Sequence, residues 1–453
     1  MRASSIRLVT LRIVLVRHGL SSFNVEHRIQ GRDDLSSLTA EGERQAALTG
    51  EALRDLRFDA AYTSPLRRAS ATASALLFAQ GQGLTASPSN ELLEIDLAPW
   101  SGLLRSELQQ RHPEQERLWR VAPETLTLER EGASYSPLGE LMEQAGRFKA
   151  QLLADHGQAF TDTGRTVLVV GHNAILRCLL LSLLDLPASG FRRLRVDNCS
   201  ISVLNLSRGP EGGIAVQVES LNGTAHLGDP LPARGKGPRL VLVRHGETDW
   251  NRQGRFQGQI DIPLNANGRA QADAAGSFLA PVTFHRAYSS SMARPRQTAE
   301  AILASHPGVP LTTTRGLVEI GHGLWEGRLE SEIAEGWPQL LADWKRAPET
   351  VQMPEGETIH DVWNRSLATW ATIARSLGAD ETALVVAHDA VNKTILCALL
   401  GLQPADIWAI KQGNGGVTVI DYPHGPGGGA VVSAMNLTTH LGGVLDRTAA
   451  GAL

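Results

Sequence analysis

The six-residue sequence Val-Leu-Val-Arg-His-Gly occurs twice in this chain, at residues 14–19 and again at residues 241–246. Each copy ends a short apolar run rich in β-branched residues, which predicts a buried β-strand that stops at Arg, His and Gly. Open α/β sheets bind ligands at the carboxyl ends of their strands, so the pattern places His18 and His245 where a ligand is expected. The glycine after each histidine would let the backbone turn sharply or approach a ligand closely.

The sequence around this motif also repeats, which indicates a duplicated domain. An asparagine follows each histidine six residues later, and matching Gln-Gly, Tyr-x-Ser, Glu-Ile and Val-Val-x-His segments follow in the same order. We therefore predict two copies of one domain, at residues 1–228 and 238–453. The Pro- and Gly-rich segment at 229–237 is predicted to link them.

Length and composition narrow the class of protein. A chain of 453 residues with 42% hydrophobic and 20% charged residues is typical of a globular protein with two or three domains. The net charge of −4 argues against nucleic-acid binding. Three cysteines cannot all pair within the chain, which favours a reducing, cytoplasmic compartment. The richest apolar stretch, residues 175–186, is short enough for a core helix, so we expect no membrane association.

Strand-like runs alternate with helical patterns in each copy. In the first copy the strand-like runs are 12–16, 60–63, 166–170 and 200–206, and the helical patterns are 40–56, 67–78, 138–154 and 175–184. This alternation predicts an α/β fold of two tandem three-layer domains, each with a mainly parallel central sheet flanked by helices. The charged, Trp-containing segments 102–137 and 327–355 are expected to form a helical insertion over the active site.

Two Arg, two His, one Glu and one Asn recur in the same order in both copies. They are Arg17, His18, Asn24, Arg68, Glu94 and His172 in the first copy, and Arg244, His245, Asn251, Arg294, Glu319 and His388 in the second. Guanidinium groups match phosphate oxygens bidentately, and a neutral imidazole among arginines suits attack on phosphorus better than metal binding. The second His would stabilise the transferred phosphoryl group, and Glu is the acid that could protonate a leaving alkoxide. The set therefore predicts phosphoryl transfer on a small phosphorylated metabolite, without a metal or cofactor.

Each of these residues also has a purely structural interpretation. A single buried His at a strand end is more often structural than catalytic. Arg68 and Arg294 lie at predicted helix starts and could form surface ion pairs, whereas Glu94 and Glu319 could cap a turn. The recurrence of all six residue types in both copies favours the catalytic interpretation.

The combined motifs Leu-Val-Arg-His-Gly-x-Ser/Thr-x-x-Asn, Ser-x-x-x-Arg-x-x-x-Thr-Ala and Val-Val-x-His resemble those of the histidine phosphatase superfamily, in its phosphoglycerate mutase-like branch. The resemblance covers nearly the whole chain twice, and it implies an α/β fold, a phosphohistidine intermediate and no metal. By position it implies that His18 and His245 are nucleophiles and that Glu94 and Glu319 donate protons and then activate water. The phosphate-holding residues that it implies are Arg17, Asn24, Arg68 and His172 in the first copy and Arg244, Asn251, Arg294 and His388 in the second.

The tandem arrangement resembles that of the plant and cyanobacterial 2-carboxy-D-arabinitol-1-phosphatase group. It implies a metal-independent phosphomonoesterase that acts on a sugar or sugar-acid phosphate, with 2-carboxy-D-arabinitol 1-phosphate as the named example. One open alternative is a cofactor-dependent phosphoglycerate mutase, although the Asn-Glu-Arg-His-Tyr-Gly-type stretch of those enzymes does not follow the acid here. Another is one active domain with a regulatory or binding domain, because Leu20 of the first copy stands where the second has Glu247.

Overall fold

The computed structural model describes residues 10–160, 164–209 and 212–448. The chain forms two compact units. Unit 1 comprises Met1–Val218 and Asn222–Asp229, and unit 2 comprises Glu219–Leu221 and Pro230–Leu453. Within the described ranges, every helix is too short or too polar to cross a membrane.

Unit 1 contains six strands that lie side by side with helices between them, and a separate hairpin of two short strands. Its strands are β1 (Leu11–Arg17), β2 (Ala60–Thr63), β3 (Ser87–Pro88), β4 (Leu128–Arg130), β5 (Ala133–Tyr135), β6 (Arg165–Gly171), β7 (Ile201–Arg208) and β8 (Ile214–Gly223). Its helices are α1 (Ser22–Val25), α2 (Ala40–Ala52), α3 (Arg67–Gln80), α4 (Arg105–Arg111), α5 (Pro113–Val121), α6 (Pro137–His156) and α7 (Asn173–Leu183). The order of the six strands is β8-β7-β1-β6-β2-β3, and β4 and β5 form the separate hairpin. The four strands from β1 to β3 are parallel, and β7 pairs antiparallel with β1.

Unit 2 repeats this architecture. Its strands are β9 (Arg239–Arg244), β10 (Arg286–Ser290), β11 (Leu311–Thr314), β12 (Thr382–Ala387), β13 (Val417–Asp421) and β14 (Val431–Leu437). Its helices are α8 (Asp249–Gln253), α9 (Ala266–Leu279), α10 (Ala293–Leu303), α11 (Glu330–Gly336), α12 (Pro338–Arg346), α13 (Ile359–Arg375) and α14 (Asp389–Leu400). The strand order is β11-β10-β12-β9-β13-β14, parallel from β11 to β9 and antiparallel from β9 to β14.

The predicted α/β class with a mainly parallel sheet is confirmed. The central strands β9 and β12 are buried along their whole length, which explains why they read as continuous apolar runs. The predicted helix ends are less accurate. The helix expected at 40–56 stops at Ala52, and the next residues turn so that Leu53 and Phe58 enter the core.

The insertion at 102–137 contains the expected helices, α4 and α5, but also a β-hairpin that the helical prediction missed. Strands β4 and β5 pair antiparallel around Glu131 and Gly132, whose φ angles are 55° and 82°. Two consecutive residues with positive φ are the signature of a two-residue hairpin turn, and glycine at the second position permits it. Each strand has only three residues, and β4 carries the charged pair Glu129 and Arg130, so neither shows the apolar alternation that predicts a strand.

The glycine after each first histidine lies against the backbone of a helix. A Cβ atom on Gly19 would lie 2.4 Å from the carbonyl oxygen of Gly42 in α2, and one on Gly246 would lie 2.2 Å from that of Gly268 in α9. Neither Gly19 nor Gly246 has a positive φ. These glycines therefore admit a neighbouring helix backbone, a role that the sequence did not predict. The expected turn does not use a positive φ, and the close approach to a ligand stays a prediction.

Candidate active site

The carboxyl ends of two adjacent parallel strands bring the two histidines of each unit together. In unit 1 the backbone N–H of His18, just after β1, donates to the carbonyl of Gly171 at the end of β6 over 2.9 Å. The next residue is His172, and the centroids of the two imidazole rings lie 5.1 Å apart. The pairing of β9 with β12 places His245 and His388 at the same 5.1 Å separation.

A backbone carbonyl fixes the tautomer of the first histidine in each pair. Nδ1 of His18 lies 2.8 Å from the carbonyl oxygen of Gly19, and Nδ1 of His245 lies 2.7 Å from that of Gly246. Because a carbonyl oxygen only accepts hydrogen bonds, Nδ1 carries the proton and Nε2 carries the lone pair. Burial, reinforced by neighbouring arginine charges, lowers the pKa of both rings well below the usual value. Each ring is therefore neutral near pH 7, with Nε2 available as a nucleophile.

A serine hydroxyl orients the second histidine. Nε2 of His172 lies 2.8 Å from Oγ of Ser64, and Nε2 of His388 lies 2.9 Å from Oγ of Ser290. The Nδ1 atoms of these two rings are buried and have no hydrogen-bond partner in the part of the chain that the structure describes. Each ring is thus held through one nitrogen while the other is left for a bound group.

Arg68 and Arg294 are buried beside the histidines, with exposed fractions of 1% and 0%. The surface ion-pair interpretation of these two arginines is therefore wrong. Loop carbonyls hold both guanidinium groups: Arg68 donates to Gly31 over 2.9 Å, and Arg294 donates to Gly258 over 2.9 Å. In unit 2 the Nε group of Arg294 also donates to Nε2 of His245 over 3.2 Å. This contact directs the arginine at the nitrogen that would attack phosphorus.

The arginine before each nucleophile is anchored through one end of its fork. Nη1 of Arg17 donates to the carbonyl of Val196 over 2.9 Å, and Nη1 of Arg244 donates to that of Gln412 over 2.5 Å. Among the described residues, the buried Nε atoms of Arg17 and Arg244 have no hydrogen-bond partner, and neither does that of Arg68. These free N–H groups suit the oxygens of a phosphoryl group.

The asparagine after each nucleophile is oriented by its own carbonyl. Oδ1 of Asn24 accepts hydrogen bonds from the backbone and hydroxyl of Ser21, over 3.2 and 2.9 Å, and from Nδ2 of Asn198 over 3.2 Å. Oδ1 of Asn251 likewise accepts from Nδ2 of Asn414 over 3.4 Å. With the oxygen engaged in this way, the amide nitrogen is the end left to donate to a ligand.

The glutamates lie at the start of the helix that follows the second histidine. A carboxylate oxygen of Glu94 accepts from the backbone N–H groups of Ala174 and Ile175 in α7, each over 3.1 Å. Glu319 accepts from the N–H of Asp389 over 3.0 Å. The capping interpretation thus describes a real contact, and the same contact holds the acid at the site. Burial raises the pKa of Glu319, and the charge of Asp389 raises it further.

Sequence reasoning missed one residue type in each unit. Nδ2 of Asn198 donates to the carbonyl of His18 over 2.8 Å, and Nδ2 of Asn414 donates to that of His245 over 3.1 Å. Both asparagines therefore hold the backbone at the first histidine of each pair. The sequence does place one Asn before the last pair of strands in each copy. The residues on either side of it differ between the copies, so the repeat did not indicate a role for it. Ser64 belongs to the repeated Tyr-x-Ser segment, but the sequence predicted no role for its hydroxyl group.

A cavity of about 400 Å³ opens at the residues of unit 1. Arg17, His18, Arg68 and Glu94 line it, and Trp119 of α5 contributes a wall from the insertion. The expectation that the insertion covers the active site is confirmed for unit 1. This volume is within the usual range for small-molecule sites.

Comparison with known proteins agrees with this geometry. The family model described as the histidine phosphatase superfamily, branch 1, matches residues 13–215 and again residues 240–437. The chain belongs to the histidine phosphatase superfamily. Histidine phosphatases transfer a phosphoryl group through a phosphohistidine, and this chain is an enzyme of that kind.

Individual histidine phosphatases resemble the chain over one copy or over both. A wheat (Triticum aestivum) protein named 2-carboxy-D-arabinitol-1-phosphatase is 30% identical, over 95% of this chain and 86% of that protein. A 2,3-bisphosphoglycerate-dependent phosphoglycerate mutase 2 from Gloeobacter violaceus is 35% identical, over 38% of this chain and 80% of that protein. Among solved structures, Bacillus stearothermophilus YhfR is 31% identical and covers 45% of this chain and 99% of its own, with a TM-score of 0.43.

Proposed function

We propose that both units hydrolyse phosphate monoesters of small sugars or sugar acids, with His18 and His245 as the nucleophiles. The observation that carries this proposal is the state of the first imidazole. Its Nδ1 proton is committed to the adjacent glycine carbonyl, over 2.8 Å in unit 1 and 2.7 Å in unit 2. The lone pair on Nε2 therefore faces a site where the Nε–H groups of Arg17 and Arg68 in unit 1, and of Arg244 in unit 2, have no partner among the described residues.

The proposed reaction has two half-reactions. In the first, Nε2 attacks phosphorus, the bond from phosphorus to the ester oxygen breaks, and Glu94 or Glu319 donates a proton to the departing alkoxide. In the second, water attacks the phosphohistidine, the same carboxylate accepts a proton from it, and the bond from phosphorus to nitrogen breaks. The neutral histidine, the protonated acid and inorganic phosphate result. The residues proposed to hold the phosphoryl oxygens are Arg17, Asn24, Arg68 and His172 in unit 1, and Arg244, Asn251, Arg294 and His388 in unit 2.

The proposed substrate class draws on the relative that spans both copies. The wheat protein is named for a phosphate ester of a sugar acid, and we propose 2-carboxy-D-arabinitol 1-phosphate as one candidate substrate. We also propose residues 1–228 and 238–453 as the two catalytic domains, which the two compact units support. A cytoplasmic location is proposed as well, supported by three free, buried cysteines.

Phosphoglycerate mutase is the second candidate function, favoured by the 35% identity to the Gloeobacter protein over part of the chain. A mutase returns the phosphoryl group to a second hydroxyl instead of to water. Conversion of 3-phosphoglycerate to 2-phosphoglycerate, primed with bisphosphoglycerate, therefore distinguishes the two activities. We expect phosphate release to exceed this conversion, and the opposite ratio would favour the mutase.

The deciding experiment removes both nucleophiles from the full chain. We expect His18→Ala combined with His245→Ala to lower phosphate release from p-nitrophenyl phosphate and 2-carboxy-D-arabinitol 1-phosphate by about 10⁴-fold. His112→Ala is the matched control, because this exposed histidine lies outside the proposed catalytic set, and it should change the rate by less than about twofold. Full activity in the double variant would contradict the proposal.

A further inference from the structure

The cavity of unit 1 carries more positive charge than one phosphoryl group requires. Seven arginines and two glutamates line it. Five of these arginines take no part in the reaction proposed above. Arg28 and Arg120 each pair with a glutamate, which leaves Arg105, Arg177 and Arg192. Arg105 begins α4, Arg177 lies on α7, and Arg192 lies in the 3₁₀ turn Ala188–Arg193. Three separate elements therefore direct guanidinium groups into one cavity.

Aromatic rings support two of these guanidinium groups. The Cζ atom of Arg177 lies 5.1 Å from the ring centroid of Phe191, and that of Arg192 lies 4.9 Å from the ring centroid of Trp119. Rings that support a guanidinium group on its face leave its charge in place and its edge free to donate hydrogen bonds. The two arginines are thus positioned without being neutralised.

The described residues supply no carboxylate partner within 4 Å for Arg105, Arg177 or Arg192. Arg192 donates only to the backbone carbonyl of Trp119, and Arg177 makes no hydrogen bond with the described part of the chain. Burial lowers the pKa of Arg177 to about 9, and the charges of Arg192 and Arg17 contribute to the shift. Arg177 and Arg192 are partly buried and repel each other, and the exposed Arg105 adds a third positive charge beside Arg192. Such a group of like charges is unfavourable unless an anion joins it.

Unit 2 satisfies the corresponding charges internally. Lys393 stands five residues after His388, as Arg177 does after His172, and its Nζ atom lies 2.9 Å from Asp389. Trp408 stands where unit 1 has Arg192, and its ring centroid lies 5.1 Å from the same Nζ atom.

The third arginine is also replaced in unit 2. Glu330 stands three residues after Gly327, as Arg105 does after Gly102. This glutamate pairs with Lys345 over 2.5 Å. All three positions that are free cations in unit 1 are thus acidic, paired or aromatic in unit 2.

We propose that Arg105, Arg177 and Arg192 form a second anion subsite in unit 1, so that this unit selects phosphate esters whose alcohol part carries another anionic group. The subsite would bind a carboxylate or a second phosphate, both of which match the guanidinium fork. Unit 2 lacks it and does not distinguish such esters from neutral ones. This assignment rests on the proposed phosphatase function and adds the substrate class of one unit.

The test measures the hydrolytic activity of each unit separately, within the full chain. His245→Ala leaves the unit 1 site intact, and His18→Ala leaves that of unit 2. Two matched substrate pairs isolate the extra anion: 3-phosphoglycerate against glycerol 3-phosphate for a carboxylate, and fructose 1,6-bisphosphate against fructose 6-phosphate for a phosphate. We expect unit 1 to prefer the more anionic member of at least one pair by about thirtyfold in kcat/KM, and unit 2 by less than about threefold.

Exchange of the subsite residues sharpens the test. In the His245→Ala background, Arg177→Lys combined with Arg192→Trp introduces the residues of unit 2, and we expect the preference to fall below about threefold, mainly through KM. Arg177→Lys alone keeps the charge and should retain part of the preference. Arg117→Met is the matched control, because this exposed arginine of α5 pairs with Glu114 at 2.6 Å and does not line the cavity. It should leave the preference unchanged.

Direct binding separates failure of the subsite from failure of the proposed function. Calorimetric titration of the double variant His18→Ala and His245→Ala with 3-phosphoglycerate, glycerol 3-phosphate and the two fructose phosphates requires no turnover. Selective binding without hydrolysis by the parent chain would retain the subsite and reject the phosphatase proposal. Equal preferences in the two units, or a preference unaffected by the exchange variant, would overturn the subsite.

Discussion

Unit 1 and unit 2 hold the same set of candidate catalytic groups, but the residue after the second histidine differs and changes the charge around them. In unit 1 this residue is Asn173, whose amide donates to the carbonyl of Val196 over 2.7 Å. In unit 2 it is Asp389, which lies 2.9 Å from Nζ of Lys393 and 3.5 Å from Nη1 of Arg244. The carboxylate of Asp389 therefore neutralises Lys393, whereas Arg177, at the matching position in unit 1, has no carboxylate partner among the described residues.

This difference shows which part of a duplicated site can diverge. The groups that would contact the phosphoryl oxygens are the same in both units, because every phosphate ester presents the same phosphoryl oxygens to them. In the proposed subsite the groups further along the cavity would face the variable alcohol part of an ester. Here unit 1 has Arg177 and Arg192 where unit 2 has Lys393 and Trp408. The comparison thus predicts shared chemistry and distinct selectivity, and each of the following changes tests one part of it.

The largest expected effect comes from removing one nucleophile at a time. His18→Ala and His245→Ala should each remove the activity of their own unit by about 10⁴-fold while the other unit continues to release phosphate. Alkaline quenching followed by peptide mapping should find the phosphoryl group only on the remaining histidine. Complete loss from one single substitution, with no effect from the other, would instead support one active and one regulatory unit.

A methyl group on either active-site glycine should destabilise its unit. Gly19→Ala and Gly246→Ala each bring a Cβ to within 2.4 Å of a helix carbonyl oxygen, so we expect losses of about 2 kcal/mol in urea unfolding of the affected unit. Gly146→Ala in α6 is the control, because nothing lies within 4 Å of its added Cβ, and it should be neutral or stabilising by up to about 1 kcal/mol. Unchanged unfolding in both glycine variants would show that the helix can shift without cost.

Loss of the orienting hydroxyl should have a smaller effect on the rate. Ser64→Ala in the His245→Ala background, and Ser290→Ala in the His18→Ala background, should each lower kcat by about tenfold, because the second histidine loses the contact that sets its ring. Ser74→Ala on the exposed side of α3 provides the control. Equal effects in the two units would strengthen the view that their chemistry is shared, and a loss in one alone would break it.

The smallest expected effect is a difference between the two units in the pH dependence of kcat. Glu319 must be protonated to act as the acid, and its raised pKa keeps the proton to higher pH. Asp389→Asn, in the His18→Ala background, removes a charge that raises this pKa, so the alkaline limb of kcat should move down by about half to one pH unit. The reciprocal change Asn173→Asp, read in the His245→Ala background, should move the limb of unit 1 upward. A shift of either limb in the opposite direction would contradict the role given to Asp389.

Much of the candidate site could be predicted because the same set of six residues recurs in the same order in both copies of the domain. Chance does not repeat Arg17, His18 and their four companions in order, and the strand-end position of the histidines follows from apolar runs that end at a charge. The subsite arginines gave no such signal, since Arg177 lies within an apolar helix and Arg192 within a turn. Both line one cavity, where Trp119 of the insertion lies against Arg192, a contact between residues far apart in the chain.

The hydrogen bond from Nδ1 of each nucleophile to its glycine carbonyl also bears on the order of events in a catalytic cycle. In the proposed reaction Nε2 receives the phosphoryl group, so the Nδ1 proton and its hydrogen bond, 2.8 Å long in unit 1, would be kept in both the free and the phosphorylated enzyme. The ring therefore has no need to rotate, exchange tautomers or find a new partner between the two half-reactions. The histidine would thus keep one orientation through the proposed cycle, and the groups that move would be the departing alcohol and the incoming water.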